Sequence, residues 1–303
     1  MRNKVALVVP YFGNFPSYFD YFLETCLHNP DFQFLIFSDN HLPRGREFKN
    51  VTYIPFTLAQ FNELASKQLH IPVNLKTGYK LCDIKPMYGK IFETYLYQFD
   101  FWGYCDIDII FGDLRKIITD ELLDSYDIIS TNFRFMAGPF SLYRNENPIN
   151  TSFMASKDYK RILQEDKVFL FDEASNVISK LWEGYSIFDF PSEVESITHV
   201  FKKENNPFKV LFAPLISERL LNRKRLVWEK GVLMDLNGVE FHIFHFLVYK
   251  SKVTFSTPPL VIGEKFYFTE HGIFQPNLRS FSIDWFNSIL TNTLSKIKRK
   301  LKF

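Results

Sequence analysis

Cysteine is scarce in this chain of 303 residues: Cys26, Cys82 and Cys105 are the whole set, and no two form a C-x-x-C pair. An odd, scattered set argues against a disulfide framework or a zinc cluster and points to a reducing compartment. An excess of one charge is also missing. The 36 Lys and Arg against 34 Asp and Glu leave a formal +2, so no global field attracts nucleic acid and any basic partner site must be local. No apolar run approaches the roughly 18 residues that a membrane span requires. The start, Met1-Arg2-Asn3-Lys4 before the apolar residues 5–9, meets Pro10 at once and is too short for a signal peptide, so a cytoplasmic protein is expected.

What the chain does have is apolar and aromatic mass: 46% hydrophobic residues and 35 Phe, enough for a full core in one large or two small domains. The aromatic rings offer stacking faces for sugars, although filling an ordinary core accounts for them as well. Residues 5–9 read as a buried strand, 18–27 as a helix with Phe19, Phe22, Leu23 and Leu27 on one face, and 32–37 and 51–55 as two more strands. That β-α-β-β opening predicts an α/β fold with a mostly parallel sheet, whose carboxyl edge would gather Tyr11, Asp39 and later acids where ligands bind. Pro86 suits the first turn of a helix carrying Met87, Ile91, Tyr95 and Gln98 along one face. Further on, a polar helix near 113–125, strands at 127–130 and 141–143, and a late strand at 240–250 are expected. No internal repeat and no long linker appear, so one domain is expected over 1–281.

The last stretch changes character. From Ser282, apolar Phe286, Leu290, Leu294, Ile297 and Leu301 recur at helical spacing, while Lys296, Lys298, Arg299, Lys300 and Lys302 crowd the end. A basic amphipathic helix over 282–303 is expected. With about 1 kcal/mol per basic residue near an anionic leaflet, it could hold the protein on the inner face of the cytoplasmic membrane. A terminal helix packed on its own domain is the plainer account.

The most informative feature is Asp106-Ile107-Asp108, set between the aromatic run 99–104 and Ile109-Ile110-Phe111. In an extended segment residues i and i+2 point the same way, so both carboxylates can reach one point. At roughly 4 Å and an effective dielectric of about 20 they would repel by about 4 kcal/mol. Either one takes up a proton or a divalent cation sits between them, and a metal site that grips a diphosphate is the expectation.

Two blocks carry a resemblance. Lys80-Leu81-Cys82-Asp83-Ile84-Lys85-Pro86-Met87-Tyr88-Gly89 precedes Phe101-Trp102-Gly103-Tyr104-Cys105-Asp106-Ile107-Asp108. This resembles the GT-A glycosyltransferases, in particular bacterial polysaccharide-biosynthesis transferases with K-x-x-D-x-K-P-x-Y-G ahead of F-W-G-Y-x-D-x-D, and more distantly glycosyltransferase family 8. The resemblance implies a GT-A type α/β fold, with a donor half about 1–125 and an acceptor half about 126–255. It also implies hexose transfer from a nucleotide-sugar, a UDP-hexose above all, to a surface polysaccharide or lipid-linked oligosaccharide, leaning toward retention of configuration. By the same resemblance Asp108 would ligate Mn²⁺ or Mg²⁺, and Asp106 would share the metal or bind the ribose. Lys80, Asp83 and Lys85 would face the donor. A late histidine, His245 rather than His242, would return to the metal with Lys250 nearby, although the family's glycine and K-P-W are missing here. Gly138, in Phe135-Met136-Ala137-Gly138-Pro139, would let backbone approach the donor sugar, and Asp172 or Glu173 would be the catalytic carboxylate.

Two other readings compete. A nucleotidyltransferase would also place paired aspartates on a strand, but its upstream Gly-Ser occurs nowhere in this chain. A GT-A fold kept as an inactive carbohydrate-binding or scaffold subunit is the non-enzymatic alternative.

Overall fold

Seven strands form the central sheet of the first of two packing units. Their order across the sheet is Val51–Pro55, Phe32–Ser38, Val5–Tyr11, Phe101–Cys105, Phe140–Arg144, Ile128–Ser130 and Val210–Phe212. The first four run parallel, with Leu7 beside both Phe34 and Gly103; Phe140–Arg144 alone runs antiparallel to both its neighbours, and Ile128–Ser130 and Val210–Phe212 pair parallel. This computed structural model describes residues 2–41, 49–220, 225–260 and 265–275; the helix expected at 282–303 lies outside the described residues. The mostly parallel sheet is the α/β architecture expected of a GT-A type fold. No helix among the described residues is long and apolar enough to cross a membrane.

The first unit comprises residues 1–15, 30–106 and 118–215, and the second 16–29, 107–117 and 216–303. The chain changes unit at points such as the Asp106–Ile107 peptide, where no Gly- or Ser-rich linker marks a boundary. The second unit carries the helix Phe19–Leu27, a five-stranded antiparallel sheet and a two-stranded ribbon that pairs Ile109–Phe111 with Ile243–His245. Trp228 and Phe266 stack at 4.8 Å in its core.

Several elements differ from the periodicity reading. The segment after Pro86 is a series of short turns, Lys85–Met87, Tyr88–Ile91 and Glu93–Leu96, in place of one helix. Proline offers no N–H to an earlier carbonyl, and Phe92 leaves helical geometry at φ −101°, ψ 21°. The expected strand at 240–250 breaks into Glu240–Phe241, Ile243–His245 and a helical turn Leu247–Lys250. A helix at Leu58–Leu69, not read from periodicity, opens on a capping box in which Thr57 and Gln60 each bond the other's backbone N–H.

The two sequence blocks interlock in the first unit's core. Trp102 is fully buried, stacks on Tyr143 at 4.4 Å and 6°, and donates its Nε1–H to Asn150 Oδ1 at 2.6 Å. Gly89 lies so close under this indole that a Cβ would overlap the ring. Tyr88 and Tyr104 meet edge to face at 6.4 Å, so the helical turns that carry Lys85 are fixed against the strand that ends at Asp106. Because the indole is pinned on two sides, Gly89→Ala should destabilise the protein by about 1–3 kcal/mol, the usual range for overpacking. Chemical denaturation measures this; a midpoint equal to wild type would show that the ring yields and that the interlock is loose.

Candidate functional site

Asp106 follows the last residue of the strand Phe101–Cys105, and its N–H bonds Pro139 O at 2.9 Å. The chain then bends at Ile107 and Asp108 before the strand Ile109–Phe111 begins. The extended geometry expected through both acids is therefore absent, because each strand ends or starts short of the pair. The i, i+2 argument for a shared face does not apply here.

In the first unit Lys85 gathers the acids. Its Nζ lies 2.6 Å from Asp106 Oδ1 and 3.6 Å from Asp172 Oδ2, donates to Gly138 O at 2.8 Å, and stands 5.7 Å from the centre of the Tyr104 ring. Burial alone would lower the lysine pKa, but the Asp106 and Asp172 charges outweigh it and raise the value well above the ordinary one. Asp172 is only 2% exposed, and its Oδ1 has no hydrogen-bond partner among the described residues. Burial drives its pKa well up, against the pull of Lys85, and Glu173, Asp83 and Asp106 add to the rise. Gly138 makes the approach possible: a Cβ there would stand 2.7 Å from Glu173 Oε1 and 2.8 Å from Asp172 Oδ2. Lys85, Asp106, Gly138, Asp172 and Glu173 are thus brought together by one ammonium group and one missing side chain.

Lys80 and Asp83, expected to face a donor, are committed to the interior instead. Both are buried; Lys80 Nζ meets Asp83 Oδ2 at 2.8 Å, also bonds Lys167 O, and lies 4.7 Å from the centre of the Phe169 ring. Asp83 further accepts the N–H groups of Phe169 at 2.9 Å and Phe171 at 2.8 Å. Between those two sits Leu170 at φ +54°, a left-handed conformation that costs a non-glycine residue about 1–2 kcal/mol. The carboxylate holds the backbone on either side of the strained residue, and this fixes the turn that presents Asp172. Tyr11 and Asp39 lie at the carboxyl edge of the same sheet. Asp39 Oδ1 accepts the Gly13 N–H at 3.0 Å, and Tyr11 stacks on Phe15 at 5.4 Å.

In the second unit Asp108 is 2% exposed and faces two cationic or potentially cationic groups. His245 Nε2 is 3.2 Å and Lys250 Nζ 2.8 Å from its Oδ2, so both groups pair with the same carboxylate oxygen. Burial opposes ionisation of Asp108, but the proximity of His245 and Lys250 prevails and holds its carboxyl well below the usual carboxylate range. On the other side of the ring, His245 Nδ1 lies 2.9 Å from Glu218 Oε1. A carboxylate only accepts, so Nδ1 carries the proton; a protonated ring also donates to Asp108 from Nε2, whereas a neutral ring turns its Nε2 lone pair on that carboxylate. Two acceptors at 3.2 Å need a proton or a metal ion between them. A carboxylate behind the far nitrogen is the usual support for a metal-bound histidine, so these residues fit a divalent cation. Glu218 was not anticipated; it sits 27 residues from its partner with no local motif. His242, the alternative ligand, falls at the break between two strands, and its Nδ1 is buried without a hydrogen bond among the described residues.

The chain belongs to DUF6625, a family of unknown function, whose family model matches residues 7–275. No curated protein matches it. Among solved structures, it is similar to the galactosyltransferase LgtC in complex with donor and acceptor sugar analogs, at 13% identity over 61% of this chain and 80% of that one, with a TM-score of 0.33. An active-site mutant of LgtC is similar at 14% identity over 68% and 71%, with a TM-score of 0.30. Similarity that low reaches neither substrate nor mechanism.

The Lys80–Asp83 pair has a direct test. Asp83→Asn leaves a buried ammonium without its counter-charge, which costs about 3–5 kcal/mol when one partner of a buried pair is removed. Urea denaturation should show a loss of that size; a change below about 1 kcal/mol, the scale of an exposed ion pair, would mean that water reaches Lys80.

Proposed function

We propose that this protein is a metal-dependent glycosyltransferase that moves a hexose from a nucleotide-sugar, a UDP-sugar above all, to a polysaccharide or lipid-linked oligosaccharide acceptor. The observation that carries the reading is the buried Asp108 carboxylate, 3.2 Å from the Nε2 of a histidine whose other nitrogen is tied to a second carboxylate, Glu218. Asp108 and His245 would hold Mn²⁺ or Mg²⁺, and by the sequence resemblance Asp106, two positions earlier in the chain, would share the ion or bind the ribose. Bound there, the ion would supply positive charge to the two phosphates of the leaving diphosphate.

The remaining work falls to the chain's own groups. Lys250 offsets charge beside Asp108, and Lys85 does the same beside Asp106. The backbone at Gly138 lines the space next to Asp172 and Glu173, one of which acts on the acceptor hydroxyl or steadies the anomeric cation. The wide GT-A resemblance of the two sequence blocks supports the same reading, and the lean toward retention comes from that resemblance alone.

Isothermal titration with UDP, with and without Mn²⁺, tests the metal role. Asp108→Asn should abolish the Mn²⁺-dependent part of UDP binding while the protein stays folded; undiminished binding removes Asp108 from the site. Separately, Asp172→Asn should bind UDP and Mn²⁺ as wild type does, yet lower slow donor hydrolysis by about 10²-fold or more, the lower range for a lost acid or base. If wild type hydrolyses no member of a nucleotide-sugar panel with Mn²⁺, the binding or scaffold reading takes the place of the enzyme.

A further inference from the structure

The first unit exposes an unusual share of aromatic surface around one short segment. Trp182, Tyr185 and Phe188 are 48%, 50% and 54% exposed, and Phe133, 45% exposed, meets Trp182 edge to face at 5.8 Å. Beside Phe188 opens a cleft of about 210 Å³, lined also by Lys157, Ser192, Glu195 and His199. That is smaller than the roughly 300–1,000 Å³ of sites for drug-sized ligands and suits one ring better than a nucleotide diphosphate.

The polar wall of the cleft is set by a helix cap. His199 is the third residue of the helix Ile197–Lys202; the Ser196 side chain accepts its backbone N–H, and the Ser196 N–H bonds back to His199 Nδ1 at 3.0 Å. A backbone N–H can only donate, so Nδ1 must be the acceptor and the neutral ring carries its proton on Nε2. Burial pushes the His199 pKa down, which keeps the ring neutral. Phe188 packs against this imidazole at 5.8 Å and 76°, placing an apolar ring next to the N–H donor.

Charge in the neighbourhood is balanced. Glu195 Oε1 is 2.7 Å from Lys203 Nζ, its Oε2 accepts the Lys157 N–H at 2.7 Å, and its own N–H is bound by Asp158 Oδ2 at 2.7 Å. Lys157 and Lys203 thus offset Asp158 and Glu195, and no net field selects an anion such as a phosphate or a cation. A flat apolar face, a fixed N–H donor and compensated charges together match a neutral ligand with one apolar face and several hydroxyls.

We infer that the cleft between Phe188 and His199 is a subsite for a neutral pyranose ring of a glycan, stacked on Phe188 and hydrogen-bonded by His199 Nε2–H. The sugar binding stands on the cleft itself; its assignment to the acceptor rests on the transferase reading. Saturation-transfer difference NMR on the full chain, without nucleotide or metal, tests it with lactose, maltose, cellobiose and chitobiose as probes. At least one disaccharide should receive saturation on one of its rings. Phe188→Ala should weaken that binding about three- to tenfold, the range of one aromatic contact. His199→Gln, which keeps a residue suited to the cap, should weaken it about fivefold, the scale of one neutral hydrogen bond, with thermal stability held. Tyr97→Ala, which removes a ring 80% exposed elsewhere in this unit, should change nothing.

Absence of saturation transfer to all four sugars, or wild-type binding by Phe188→Ala, overturns the subsite. Disaccharide binding through Phe188 in a protein that fails to bind UDP with Mn²⁺ would end the transferase reading and leave the subsite standing. The reverse result would end the subsite alone.

Discussion

A single ammonium group organises the carboxylates of the first unit. Lys85 stands among Asp106, Asp172 and the carbonyl of Gly138, largely shielded from water. Without it, two acids and a carbonyl oxygen would converge with nothing to offset their repulsion, and the end of the strand Phe101–Cys105 could not lie near the turn that holds Asp172. Burying that lysine is costly, and its acid partners more than compensate, as the rise of its pKa shows. The same interaction lowers the Asp172 pKa without offsetting its burial, which is deeper than that of Asp106 and pushes the value up. Two carboxyls on one lysine are thereby set apart: one half-exposed and in short contact with the ammonium, the other buried, farther away and with one oxygen unsatisfied among the described residues.

That arrangement depends on rigid support, which the rest of the first unit supplies at two levels. The Trp102 indole, closed over Gly89 and bonded to Asn150, fixes the turn of Lys85 relative to the strand of Asp106. Asp83, neutralised by Lys80, holds the backbone on either side of the left-handed Leu170 and so fixes Asp172. Lys80, Asp83 and Lys85 thus share one motif with two different jobs. The first pair builds the frame, and the third residue faces the acids.

This split explains how far the sequence could be read. The parallel opening was legible because buried strands such as 5–9 and 32–37 are apolar but for Gln33 and end in turn residues. The aspartate pair stood out because two acids among isoleucines and aromatics conflict with ordinary burial. Lys80 and Asp83 carry the same charges as Lys85 and Asp106 and lie in the same short block, so residue type and spacing cannot tell a frame from a site. Only their partners do, and those partners, Lys167, Phe169 and Phe171, are more than 80 residues away. The late segment 240–250 misled for another reason: its aromatic and β-branched residues suit a strand, but pairing with Ile109–Phe111 engages only Ile243–His245.

In the second unit the argument turns on hydrogen-bond direction rather than on charge. Glu218 can only accept, which commits His245 Nδ1 to donating and directs Nε2 at Asp108. A core histidine with no further purpose would be stable facing a hydroxyl or a backbone N–H; facing a buried carboxylate it must take a second proton or share a cation. Taking the proton sets one imidazolium between two carboxylates, with Lys250 also 2.8 Å from Asp108, a charge-balanced cluster. The direction of one hydrogen bond, from His245 to Glu218, therefore fixes which ring nitrogen faces Asp108, which the place of the histidine in the sequence does not.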